Sequence, residues 1–231
     1  MQYYKLLLIS LVVCFGCTSE LETDFSRLGV QYFPMEVGAY RIYDVHDTNY
    51  YLIGPEEENY QLKEEVVDST IISDTEVRYQ LHRSKRADET AVWKLDSVWT
   101  TSINTTRVVA VENNVSFVKL VFPIEEDLSW DGNSYNNRQS EFYQYGESQI
   151  DTVLAEQAFT NVVQVIQSDQ GIDPLIGRDD RLEYYAPEVG LIIKYHAKWA
   201  YDQEDGIVNT DKIVAGRQLE QTLITYGKKQ D

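Results

Sequence analysis

The longest regular pattern in the chain is an alternation late in the sequence. Leu191, Ile193, Tyr195, Ala197, Trp199 and Tyr201 fall on one side of a two-residue period, and Lys194, His196 and Lys198 fall on the other. A period of two filled by β-branched and aromatic residues is what a half-covered strand needs, whereas a helix would scatter these side chains around its circumference. The pattern recurs earlier. Val77, Tyr79 and Leu81 alternate with Arg78, Gln80 and His82. Ala91, Trp93, Leu95 and Trp99 share one face against Lys94 and Asp96, with Val92 and Val98 breaking the polarity. Weaker strand patterns cover residues 37–45, 60–72, 106–112, 115–122, 159–167 and 218–226.

Turn chemistry separates these runs. Asn113-Asn114 and Asp205-Gly206 supply residues that tolerate positive φ in tight hairpins, and Gly54-Pro55, Asp131-Gly132-Asn133 and the stretch 171–174 are further breaks. Residues 150–166 fit two periods, since Ile150, Val153, Leu154, Ala158, Val162 and Val165 also make a helical stripe. The valines, with Thr152 and Thr160, favour strands. Short helices or irregular loops are expected at 21–28, 134–145 and 178–185. The fold expected is mostly β: a single antiparallel twisted sheet curling into a barrel or half-barrel, with one or two short helices. A chain of 231 residues lies within the size one core can serve, and no Pro/Ser linker or repeat divides it, so residues 30–231 read as a single β-rich domain.

The N-terminus reads as an address. Lys5 supplies a positive start, Leu6 to Val13 an apolar stretch, and small Gly16 precedes Cys17, so residues 1–16 are expected to be a signal peptide. The apolar stretch is about half the ~20 residues a spanning helix needs. Both cysteines, Cys14 and Cys17, lie here and none follows, which excludes a disulfide framework. Cys14-Phe15-Gly16-Cys17 resembles the lipobox of bacterial lipoproteins, in which the second Cys is acylated and becomes the N-terminus. On that resemblance Cys17 is the lipidation site, and 17–29 form a lipidated N-terminus and tether. The alternative is an ordinary cleaved signal with an incidental cysteine.

Charge narrows the partners. With 38 acidic against 20 basic residues the formal net charge is −18, and it becomes −19 once Lys5 leaves with the leader. Nucleic acid is excluded as a partner by charge, and the body repels an anionic leaflet. The membrane is therefore a partner only through buried acyl chains, each methylene of which contributes about 0.8 kcal/mol.

Three blocks carry a second resemblance. Tyr32-Phe33-Pro34-Met35-Glu36-Val37-Gly38, followed by Tyr40 and Tyr43, is similar to the opening of uncharacterised lipoproteins of the Bacteroidota. Phe122-Pro123 with Trp130-Asp131-Gly132 matches the middle of the same pattern, and Tyr185-Ala186-Pro187-Glu188-Val189-Gly190-Leu191-Ile192 its late block. The resemblance implies a lipid-anchored protein of the cell envelope, with the outer membrane as the expected leaflet and either face open. It implies no activity. Read as residues alone, Pro34 and Pro187 mark strand starts, and Gly38 and Gly190 permit a bulge or a close crossing.

The chemical inventory is thin. His46, beside Asp47, reads as a loop residue after a strand, and His82 and His196 as members of solvated strand faces. Asp131-Gly132-Asn133 and the stretch 202–206 lack the ligand spacing of a calcium loop and read as turns. Glu125, Glu126 and Asp127, or Asp179, Asp180 and Glu183, would supply a glycosidase with carboxylates, but adjacent acids in so acidic a chain read as solvated faces. No catalytic or metal motif is present and no cofactor is expected. What abounds is aromatic surface, with 17 Tyr, 4 Trp and 7 Phe, suited to packing and to contacts with carbohydrate, peptide or lipid. The expected role is a non-enzymatic binding or interaction module held at the envelope, with a protein, glycan or lipid ligand. The alternatives are a carboxylate-based hydrolase of extracellular glycans and a carrier of lipid or lipoprotein in a half-barrel.

Overall fold

The computed structural model describes residues 28–229 with position 174 excepted. The leader, Cys17, most of the tether and nearly all of the helix expected at 21–28 lie outside the described residues. Thirteen antiparallel strands make up most of the described residues. The first six are β1 (Ala39–Tyr51), β2 (Gly54–Ser73), β3 (Glu76–Arg86), β4 (Lys94–Asn104), β5 (Arg107–Glu112) and β6 (Val115–Val121). They are followed by β7 (Ser129–Asp131), β8 (Phe142–Tyr145), β9 (Ile150–Leu154), β10 (Gln157–Asp173), β11 (Gly177–Ala186), β12 (Gly190–Glu204) and β13 (Ile207–Lys228). A 3-10 turn, Val30–Tyr32, precedes the first strand.

Along the sheet the order is β6-β5-β4-β3-β2-β1-β13-β12-β11-β10-β8-β7, with β9 pairing β10 outside this path. Two meanders are thus joined by their first and last strands, β1 and β13, in a long register from Ala39↔Lys228 to Tyr50↔Gly216. The sheet curls until its two ends come together, and side-chain and backbone hydrogen bonds stitch the seam. Trp130 Nε1 donates to the Val118 carbonyl (2.9 Å), and Val118 N donates to the Gly132 carbonyl (2.9 Å). The Tyr145 hydroxyl donates to the Val121 carbonyl (2.6 Å) and accepts from Val121 N (3.1 Å). The result is a nearly closed barrel.

One end is sealed by the chain that leads into it. Leu28, Val30, Tyr32 and Phe33 pack on the core cluster that contains Trp130, Tyr145 and Tyr185. Glu188 N donates to the Gln31 carbonyl (2.8 Å), and buried Arg41 donates to the carbonyls of Pro34 and Val189. Gly190, at φ 92°, is required here, because a Cβ would meet the Arg41 guanidinium at 2.9 Å. The other end, ringed by the turns after β1, β3, β5, β7, β10 and β12, is open. Outward positions such as Asp44, His46 and Glu220 are exposed polar groups, and lipid-facing strands do not tolerate them.

Most expected strands form, and the differences have local causes. Residues 178–185 are a strand, β11, not a helix or loop: Asp179, Arg181 and Glu183 point into the barrel and find partners there. The 150–166 segment is a hairpin, with Ala155 and Glu156 at φ 45° and 67° in its turn, as Asn113 and Asn114 (49° and 64°) are in theirs. Residues 132–141 are an irregular connection, and Phe142–Tyr145 pairs as β8. Pro34 and Pro187 precede β1 and β12 by several residues and do not begin them. The shared face expected for Ala91 to Trp99 is broken by a bulge: Arg83 pairs Ser97 while Ser84 pairs Leu95, which turns Trp99 inward and leaves Leu95 exposed.

The seam gives a test. Tyr145→Phe leaves the amide and carbonyl of Val121 without their partner, so unfolding free energy should fall by about 1–3 kcal/mol in urea titration. An unchanged midpoint would mean that the seam contributes nothing.

Candidate functional site: the charged lumen

Twelve strands along one nearly closed path make a barrel wider than the eight-stranded kind that side chains just fill. The interior here is filled in part by long charged side chains. From β11, Asp179, Arg181, Glu183 and Tyr185 face in. Their partners across the ladder on β12 are Lys198, His196, Lys194 and Leu191, and β13 adds Arg217, Leu219 and Gln221. The polar face of the longest alternating strand is therefore the inner one. Its outer aromatic rings, Tyr195 and Trp199, lie under the Arg178 guanidinium at 5.5 and 5.3 Å.

Midway along the lumen four ions bridge opposite walls. Lys119 of β6 contacts Glu183 (2.6 Å) and Glu112 of β5 (3.3 Å), and Lys194 contacts the same two carboxylates at 3.3 and 3.7 Å. Lys119 reaches in because it is the extra residue of a bulge, Val108 pairing Leu120 while Val109 pairs Val118. The Tyr185 hydroxyl donates to the second oxygen of Glu183 (2.6 Å). Burial alone would raise the Glu183 pKa, but Lys119, Lys194 and the Tyr185 hydrogen bond outweigh it and hold the carboxyl down to about 2. The same balance lowers Glu112, and the two carboxylates raise Lys119 against its burial. Glu183, Glu112 and Lys119 are therefore charged at neutral pH.

This ion quartet separates two spaces. Toward the sealed end lies a cavity of about 50 Å³ among Tyr43, Leu81, Trp99 and Tyr185. Toward the open end lies a chamber of about 270 Å³, walled by Phe117, Tyr143, Arg181, Lys194, His196 and Arg217. It widens past Arg181 and His196 into a vestibule of about 870 Å³ between the 138–142 connection and β10. Carboxylates grip both arginines from one edge. Asp179 accepts from Arg181 Nε (2.6 Å) and Glu141 from its Nη2 (2.5 Å), while Asp47 takes Nε and Nη2 of Arg217 at 2.7 and 2.6 Å. His196 sits between them. Burial first, then Lys194, Arg181 and Arg217, push its pKa down to about 4, so the ring is neutral.

Several sequence expectations are corrected by this arrangement. His196, Asp179 and Glu183 belong to the lumen and not to solvated faces, because the inner side of this barrel is the charged one. His46 lies within β1, not in a loop. Its ring meets Asp44 (3.4 Å) and Asn59 (2.7 Å), while the neighbouring Asp47 points inward to Arg217. His82 stays on the outer face beside Gln80 (3.3 Å), and Asp127, exposed, accepts from Gln144 (3.0 Å). Asp131 caps its own loop, accepting from Asn133 N (2.9 Å) and Glu141 N (3.1 Å), and Asp202 pairs Lys212 (2.6 Å). Among the described residues no group of three or more His, Cys, Asp or Glu is placed to hold a metal ion. Sequence reasoning passed over Lys119, Glu112, Arg181 and Arg217. Lys119 did carry a signal, as the one charge in the apolar strand Val115–Val121.

No family model matches the sequence, and no curated protein matches it. Among solved structures, that of a candidate lipoprotein from Parabacteroides distasonis is similar over 85% of this chain and 98% of its own, with a TM-score of 0.46 and 9% identity.

Two outcomes are expected. Lys119→Met leaves Glu183 buried beside a single remaining cation and should cost about 3–5 kcal/mol, much of it recovered in the Lys119→Met/Glu183→Gln double variant. Stability should also fall with acidification. The unfolded chain protonates His196 at its ordinary pKa of 6.5, which the folded chain resists down to about 4. Glu183 stabilises fully above 4.5 and progressively less toward about 2. Urea midpoints from pH 7 to 3 read both, and His196→Gln should flatten the part between 6.5 and 4. A slope there identical to wild type would refute the assignment.

Proposed function

We propose that this protein is a lipid-anchored lipoprotein of the bacterial envelope, acylated on Cys17, whose barrel is a non-enzymatic binding module with its site in the open half of the lumen. The observation that carries the reading is that the barrel is sealed at the end where the chain enters, by Leu28 to Pro34, and open at the other. A tether at the sealed end turns the open chamber away from the leaflet. The lipobox-like Cys14-Phe15-Gly16-Cys17 and the acidic body support anchorage by acyl chains. The resemblance to Bacteroidota lipoproteins favours the outer membrane.

The lumen favours neither alternative. An acyl chain threading the barrel would have to displace the ions bridging Lys119, Glu183, Glu112 and Lys194. A glycosidase needs one carboxyl that holds a proton at working pH, and the glutamates at the centre of this lumen, Glu112 and Glu183, are both kept ionised.

Growth of expressing cells with an alkynyl palmitate analogue tests the anchor. The wild type should be labelled and Cys17→Ala should not, moving instead to the soluble fraction. Equal labelling of the two would overturn lipidation at Cys17.

A further inference from the structure

Resting on the binding role of the lumen, we propose a ligand class: a small molecule with an oxyanion head, a carboxylate, sulfate or phosphate, seated among Arg181, His196 and Arg217, with Phe117 and Tyr143 against its uncharged body.

The donors are fixed and incompletely used. In both arginines Nε and Nη2 are held by carboxylates, whereas Nη1 makes no hydrogen bond among the described residues. A guanidinium gripped along one edge keeps its plane and presents its remaining N–H groups at no further entropic cost, which suits a planar or tetrahedral oxyanion. Register places them together. Arg181 lies opposite His196, and Lys198 opposite both Arg217 and Asp179, so three adjacent strands converge on one spot.

The chamber is also positive within a negative protein. Its wall carries Lys119, Arg138, Arg181, Lys194 and Arg217 against Glu112 and Glu141, in a chain whose formal net charge is −18. Three further carboxylates, Asp47, Asp179 and Glu183, pair with these cations but do not line the chamber. The outer acidity is screened over about 8 Å at physiological salt, so a ligand inside responds to the wall. His196 reports the same field: its neutral ring, facing Lys194 and Lys198 on its own strand, Arg181 and Asp179 on β11 and Arg217 on β13, can give an N–H to an anion. At about 270 Å³, with aromatic walls, the chamber suits a molecule the size of a single sugar ring.

The test uses the full chain solubilised in detergent and the Cε1 proton resonances of its three histidines, His46, His82 and His196, assigned with His196→Gln. The probes are D-glucuronate, glucose 6-sulfate, glucose 6-phosphate, inorganic phosphate, neutral D-glucose and the neutral lipid 1-hexadecanol. At least one anionic probe should shift the His196 resonance saturably and raise its pKa, leaving His46 and His82 unmoved, and the tightest probe identifies the head. Affinity should drop by about tenfold or more in the Asp47→Asn/Arg217→Gln double variant, which removes the pair without stranding a charge. Lys198→Gln, at an exposed rim position, should weaken binding severalfold with the unfolding midpoint unchanged, and serves if the double variant does not fold. No saturable shift with any anion, or undiminished binding by whichever of these variants folds, would overturn the proposal. Equal or tighter binding of D-glucose or 1-hexadecanol would overturn the anion class while leaving the lumen a binding site, and labelling at Cys17 bears on neither result.

Discussion

A lysine that crosses the inside of a barrel to reach a glutamate on the far wall organises this protein. Lys119 and Glu183 stand on strands that are not neighbours, and with Glu112 and Lys194 they form a strut of alternating charge where a narrower barrel would have an apolar core. Such a strut is poor evidence of extra stability, because removing each ion from water costs several kcal/mol before any attraction is counted. Its effect is on position. A buried charge tolerates few geometries, so the quartet fixes which walls face each other and at what height. On the sealed side hydrocarbon and aromatic rings dominate, with Arg41 buried among them, and on the other side the lumen is polar and open.

Charge is sorted accordingly. Many of the acids lie on the outer surface, where water accommodates them, while several of the scarcer bases, Lys119, Arg181 and Lys194 among them, are drawn inward to carboxylate partners. A chain strongly negative as a whole can therefore enclose a positive chamber, and net charge bears on what repels its exterior but says little about its interior.

The sequence showed the strands well and their orientation badly. Period two reveals which residues share a face: Lys194, His196 and Lys198 do, and so do Val77, Tyr79 and Leu81. It does not reveal which face is inside. The rule that apolar faces turn inward inverts at β12, where Tyr195 and Trp199 are covered from outside by Arg178 while the basic face looks in. Strand β11 was misread for the same reason, since Arg178-Asp179-Asp180-Arg181 resembles a solvated turn until its partners arrive from β12 and from the 132–141 connection. The ion quartet was illegible because its members come from four strands, and a bulge that no local pattern announces aims Lys119. The hairpin turns at Asn113 and Asp205 were legible because positive φ is a local demand met by local residues.

The seal at the closed end also has a mechanical side. Tension applied through the N-terminus arrives first at residues 28–36, which are held by isolated hydrogen bonds from Ile124, Glu188 and Arg41, and only afterwards at β1, which is zipped to neighbours on both edges. The short segment would peel bond by bond under modest force, whereas β1 would have to shear two ladders at once. A pull from the N-terminal side would therefore load Leu28, Val30 and Phe33 before it loaded the strand wall.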